Sequence, residues 1–210
     1  MAILLSFIVL IFSIIVHEVA HGYAADSLGD PTARLSGRLT LNPIPHIDLM
    51  GSILIPAVLM LSGSSMLFGW AKPVPYNPYN LRNQRWGEAF VAVAGSAVNL
   101  LMAVIFGLII RFGSTMLPAP ALSLAATIVF VNLFLGLFNL IPFPPLDGFT
   151  VLRTILPWHL ASRLNRFEQQ IRSTGPVFLI LFLVLFSSLL SGPFFNAVVS
   201  LFGLITGMGI

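Results

Sequence analysis

Residues 17–21 read His-Glu-Val-Ala-His. On a helix, positions i and i+4 stack on one face a turn apart, so both imidazoles can reach a single cation. Glu18 stands beside them, with a carboxylate able to accept a proton from an activated water. These residue types at this spacing predict a metal centre that hydrolyses, and zinc is the ion that such ligands favour. Residues 2–16 carry only Ser6 and Ser13 as polar side chains. Ionisable groups at the end of so apolar a run are costly without partners, and a bound cation would supply one.

Catalytic zinc takes three protein ligands and keeps one position open. The remaining candidates are Asp26, Asp30, Asp48, Glu88, Asp147, Glu168, His46 and His159. Asp147 stands out because Pro142, Pro144 and Pro145 break the apolar stretch before it. Irregular backbone at membrane depth is tolerated where protein or a wet cavity surrounds it. An aspartate before Gly148 is equally an ordinary turn residue. Asn99 and Asn139 are buried amides suited to gripping a substrate backbone or stabilising an oxyanion, or else to bonding between helices. His46 either approaches the site as a gating or supporting group or is a loop histidine bonded to Asp48.

The elements that must position these residues are apolar. Of 210 residues, 57% are hydrophobic and 8% charged. A soluble domain carries about 25% charged residues, so a lipid environment is expected. The net charge is +3, but Lys and Arg are scattered, which excludes a nucleic-acid surface. There are no cysteines, hence no disulfide and no thiol chemistry. Apolar stretches fall at 2–25, 49–69, 88–110, 121–142 and 176–208. The fold expected is an all-α polytopic membrane protein of about four to six transmembrane helices. Residues 1–210 form one domain, with a small strand and a re-entrant element in 33–87 and a C-terminal membrane segment at 176–210. Residues 33–41 alternate with the period of a strand, Arg34, Ser36, Arg38 and Thr40 on one side. Residues 72–80 should be extended around Pro73, Pro75 and Pro78. Ser191-Gly192-Pro193 should interrupt the last stretch.

For His17, His21 and a residue after the fourth stretch to share an ion, one intervening stretch must make no net crossing. The 49–69 stretch, containing Pro56 and Gly63, suits that role. Arg34, Arg38, Lys72, Arg82, Arg85, Arg153, Arg163, Arg166 and Arg172 then share one side, and Arg111 falls on the other. By the positive-inside rule the N-terminus is external and the site lies nearer the cytoplasmic face.

His17-Glu18-Val19-Ala20-His21 in a first membrane helix, with Asn139, Pro142 and Leu146-Asp147-Gly148 far downstream, resembles the site-2 protease family of intramembrane zinc metalloproteases. Ala94-Gly95-Ser96-Ala97-Val98-Asn99 is similar to that family's Ala-Gly-Pro-x-x-Asn segment, with Ser96 in place of the proline. The Leu41–Asp48 and Gly69–Pro75 runs resemble its short prokaryotic members, and no insert suggests a PDZ or nucleotide-binding domain. The resemblance implies that His17, His21 and Asp147 bind one Zn2+ per chain and that Glu18 is the general base. It implies a multi-pass protein of a prokaryotic plasma membrane that hydrolyses peptide bonds in or near the transmembrane segments of membrane-protein substrates. The alternatives are a divalent-metal transporter or an inactive relative that binds membrane helices.

Overall fold

The computed structural model describes residues 2–54, 57–58, 61, 71–173 and 176–208. Helix α1, Ala2–Ser27, has no proline and no glycine before Gly22, so its apolar run forms an unbroken rod. It stops where Gly29 takes φ 106 and the Asp30 amide returns to the Ala25 carbonyl at 3.0 Å. Glycine accepts that left-handed conformation without steric penalty. Helix α2, Gln84–Gly113, starts where the Asn83 side chain accepts the Trp86 amide. At 30 residues it exceeds the roughly 20 needed to cross the hydrocarbon. Helix α3, Ala119–Asn139, carries proline in its first turn and ends before the Pro142 break. Then come α4, Asp147–Ile155, and α5, Trp158–Ser173. Helices α6, Pro176–Leu185, and α7, Ser191–Thr206, are joined by a π-turn over Phe186–Leu190.

Among the described residues, four helical stretches are long and apolar enough to cross a membrane: Leu4–Ser27, Gln84–Gly113, Ala119–Asn139 and Leu181–Thr206. Ser191-Gly192-Pro193 does not interrupt the last of them. Pro193 lies in the first turn of α7, where a missing amide costs least. Ala103 and Ile110 of α2, Val129 and Leu133 of α3, and Val198 and Phe202 of α7 form the main core. Small residues set the close approaches: a Cβ at Gly107 would strike Ile205, and one at Gly136 would lie 2.9 Å from Leu100. Leu4, Phe7, Leu101, Ile105 and Phe112 are exposed, as lipid-facing side chains must be.

Residues 33–41 are not a strand, and no strand occurs among the described residues. Thr32–Leu35 forms a helical turn, and Gly37 at φ 65 reverses the chain after it. The expected alternation is overruled because Arg38, assigned to the wet side, turns inward and is 7% exposed, whereas Leu35 is 80% exposed. The Arg38 guanidinium donates instead to the carbonyls of Lys72 and Pro73, and no strand among the described residues is there to pair with 33–41. Of the expected re-entrant stretch, Leu49–Leu54 is π-helical, and most of the rest lies outside the described residues. The ends of the excursion do meet: the Arg82 amide donates to the Leu28 carbonyl at 3.0 Å. The chain therefore re-enters the bundle at α2 from the same end at which it left α1.

Candidate metal centre

His17 and His21 project from one face of α1 with their rings nearly perpendicular, 89° apart. Their Nε2 atoms lie 3.0 Å from each other. Asp147 Oδ2 is 3.1 Å from His17 Nε2 and 3.3 Å from His21 Nε2. Among the described residues these three form the one cluster able to hold an ion. Three donors bound to zinc at about 2.0–2.1 Å and tetrahedral angles stand about 3.3 Å apart, so the spacing fits.

The hydrogen bonds behind the rings fix which nitrogens face the cluster. His21 Nδ1 lies 2.7 Å from the Val91 carbonyl, which can only accept, so Nδ1 donates. His17 Nδ1 lies 2.7 Å from Asn99 Oδ1. That oxygen is identified by the amide's other end: Asn99 Nδ2 donates to Asn132 Oδ1 at 2.7 Å and to the Ser13 carbonyl at 3.2 Å. Asn132 Nδ2 in turn donates to Ser13 Oγ at 2.9 Å. Both neutral imidazoles thus carry their proton on Nδ1 and turn a bare Nε2 lone pair towards Asp147. Asp147 Oδ2 is buried with no hydrogen-bond donor. Three electron-pair donors converging on one point repel one another unless a cation lies between them.

At Gly95, helix α2 approaches this cluster with backbone alone. A Cβ at Gly95 would lie 2.5 Å from His21 Nε2 and 2.7 Å from His17 Cε1. Asp147 opens α4, whose start presses on the chain before it: a Cβ at Gly148 would collide with the Leu140 carbonyl. The far end of α4 is clamped to α2. Arg85 donates to the carbonyls of Thr154 and Leu156, both at 2.8 Å, capping the last turn. Arg153 pairs with Glu88 of α2 and with Glu168 of α5.

Glu18 is half-buried, and its Oε2 accepts the Val74 amide at 2.8 Å. The other acids have different partners. Asp26 pairs with Arg34, Asp48 accepts the Gly51 amide, and Glu88 and Glu168 share Arg153. Asp30 is fully buried. Burial opposes its ionisation, yet hydrogen bonds from Thr32, Asn80 and Asn77 hold its carboxyl below the ordinary value. Asn99 is 0% exposed, with both ends of its amide committed to the network behind His17. Asn139 Nδ2 bonds the Leu135 carbonyl of its own helix at 3.0 Å. His46 is buried, bonds the Thr40 carbonyl at 2.9 Å instead of Asp48, and is not part of the three-donor cluster. His159 is exposed.

Sequence reasoning passed over Asn132, which had a legible signal, a lone amide in the middle of an apolar span. Gly95 was read only as part of the Ala94–Asn99 segment and Val74 only as part of the Gly69–Pro75 run; neither was given a role, because their importance lies in what packs against them.

The description "Peptidase family M50" matches residues 110–183. The chain is 39% identical to "Putative zinc metalloprotease YwhC" of Bacillus subtilis, over 90% of this chain and 85% of that one. It is 30% identical to "Putative zinc metalloprotease Rip2" of Mycolicibacterium smegmatis, over 90% of this chain and 69% of the relative. The Mycobacterium tuberculosis protein of that name is 31% identical over 91% of this chain and 70% of its own. No solved structure matches the chain significantly.

Proposed function

The chain belongs to peptidase family M50, and on that premise we propose that it is an intramembrane zinc metalloprotease with Glu18 as its general base. Its substrates would be membrane proteins cut in or near a transmembrane segment, as in regulated intramembrane proteolysis. The observation that carries this reading is the convergence of His17 Nε2, His21 Nε2 and Asp147 Oδ2 beside Glu18.

When bound, zinc supplies Lewis acidity that polarises a peptide carbonyl and lowers the pKa of water. His17, His21 and Asp147 hold it, and Asn99 and the Val91 carbonyl keep the imidazoles in the binding tautomer. Glu18 takes a proton from the attacking water and returns it to the departing amine nitrogen, so the carboxylate ends the cycle as it began. A substrate helix must unwind first, because helical carbonyls are already hydrogen-bonded and shielded.

The Leu28–Arg82 hydrogen bond supports a return without net crossing between α1 and α2. With that return, nine of the ten basic residues share the side of the metal centre, which is then cytoplasmic in a prokaryotic plasma membrane.

The test is co-expression with tagged single-pass membrane proteins, comparing the wild type with Glu18→Gln. Cleavage fragments should appear with the wild type alone, while both proteins retain one zinc per chain. Identical fragment patterns across a broad substrate set would overturn the protease reading. Metal transport or helix binding that survives in Glu18→Gln would support the alternatives.

A further inference from the structure

Residues 72–77 cross α1 beside the metal centre and are tied down at both ends. At one end the Lys72 amide donates to the His46 carbonyl at 2.9 Å, and Arg38 donates to the carbonyls of Lys72 and Pro73 at 2.7 and 3.3 Å. At the other, the Asn77 amide donates to Asp30 Oδ2 at 2.6 Å. Arg38 and Asp30 are buried charges, which are costly unless fully used. Both hydrogen bonds of the Arg38 guanidinium go to this segment, and Asp30 gives it Oδ2 while its Oδ1 accepts from Thr32 and Asn80.

Between the anchors, Pro73 and Pro75 have no amide hydrogen, so Val74 offers the only N–H in the run 73–75. That N–H goes to Glu18 Oε2 at 2.8 Å. The Val74 side chain is 6% exposed between exposed prolines and plugs the notch above Gly22, where a Cβ would lie 2.9 Å from Val74 Cγ1. Gly22 is four residues beyond Glu18, on the same face of α1. One residue therefore grips that face twice, by side chain at Gly22 and by backbone at Glu18.

We propose that the Val74 amide is a positioning donor. The strap 72–77 holds Glu18 Oε2, fixes the carboxylate rotamer, and leaves Oε1 as the oxygen that handles the proton. A free glutamate has three rotatable bonds, and misplacing a reacting group by about 1 Å can cost about 100-fold in rate. The proposal rests on Glu18 acting as general base, so its test has one arm that needs no activity.

That arm is hydrogen exchange of the Val74 amide in the zinc-loaded, full-length protein. Exchange should be slow in the wild type and at least tenfold faster in Glu18→Ala, with the Lys72 amide unchanged. A Val74 amide that exchanges at the same rate in both proteins would overturn the strap contact, whatever the enzyme does. The second arm replaces Val74 by its α-hydroxy acid, which removes the N–H and keeps the side chain. We expect kcat to fall about tenfold or more, with KM and zinc content within twofold of wild type. Val74→Ala keeps the N–H but loosens the side-chain plug at Gly22, and should lose less kcat than the ester variant. Full kcat in the ester variant, or equal losses in the ester and Val74→Ala, would overturn the positioning role. If Glu18→Gln cleaves normally, the base assignment fails, and the exchange result stands apart from it.

Discussion

His17 Nδ1 and Asn99 Oδ1, 82 residues apart in the chain, meet at 2.7 Å between α1 and α2. The contact is a tautomer lock: while Asn99 accepts there, the Nε2 lone pair of His17 is turned to the metal centre. Asn99→Leu removes the acceptor and strands Asn132 and the Ser13 carbonyl. Zinc affinity should fall about 10–100-fold, the usual cost of losing a group that orients a ligating histidine. Competition titration against a chelator measures it; an unchanged affinity would remove Asn99 from the site's supporting network.

Gly95 is required by space. Gly95→Ala places a methyl against His21 Nε2, within the volume where a ligand lone pair must act. We expect little zinc to be retained after purification, with the helical content unchanged. Gly113→Ala is the control, since its Cβ would come no closer than 3.3 Å to any neighbour.

Arg153→Met leaves Glu88 and Glu168 facing each other. The loss should be about 3 kcal/mol, at the low end for a broken buried pair because Arg153 and Glu88 are 21% and 22% exposed. Denaturant unfolding in detergent reads this, and adding Glu88→Gln should restore part of it. Because the clamp holds α4, zinc affinity should drop as well.

Asp30 sets an acid limit on stability. Its folded pKa lies below the ordinary value of about 3.9, so the native state binds its proton less readily than the unfolded chain does. Its stabilisation is complete above about pH 4 and is lost as pH falls through the lowered folded value. Asp30→Asn should melt below the wild type at pH 7, and the gap should close in the window below pH 4. A gap constant with pH would show that the carboxylate charge contributes nothing.

The chain has no cysteine, so single cysteines at positions 34, 111 and 163 report topology directly. Labelling by an impermeant reagent should group 34 with 163 and set 111 apart. Positions 34 and 163 on opposite faces would refute the proposed orientation.

How much of this was legible depends on distance along the chain. His17, Glu18 and His21 share one helical turn, so spacing alone displays them together. Spacing does not distinguish Asp147 from Asp30 or Glu88; which acid reaches the histidines is decided by how α4 packs on α2. The spans at α1, α2 and α3 were visible as long apolar runs. The 33–41 alternation misled because a period of two states that residues alternate, not which set turns inward. Arg38 went inward to reach the Lys72 and Pro73 carbonyls, a partner 34 residues away that no local pattern contains.

The Leu28–Arg82 hydrogen bond has a consequence for how such chains can vary. A loop whose two ends are fastened together can grow without moving what lies beyond them, and each doubling of its length costs only about 0.6 kcal/mol in closure entropy. The histidines lie before that fastening and Asp147 lies after it. New sequence could enter the excursion, between His46 and Lys72, while the helices that carry the metal ligands stay in register.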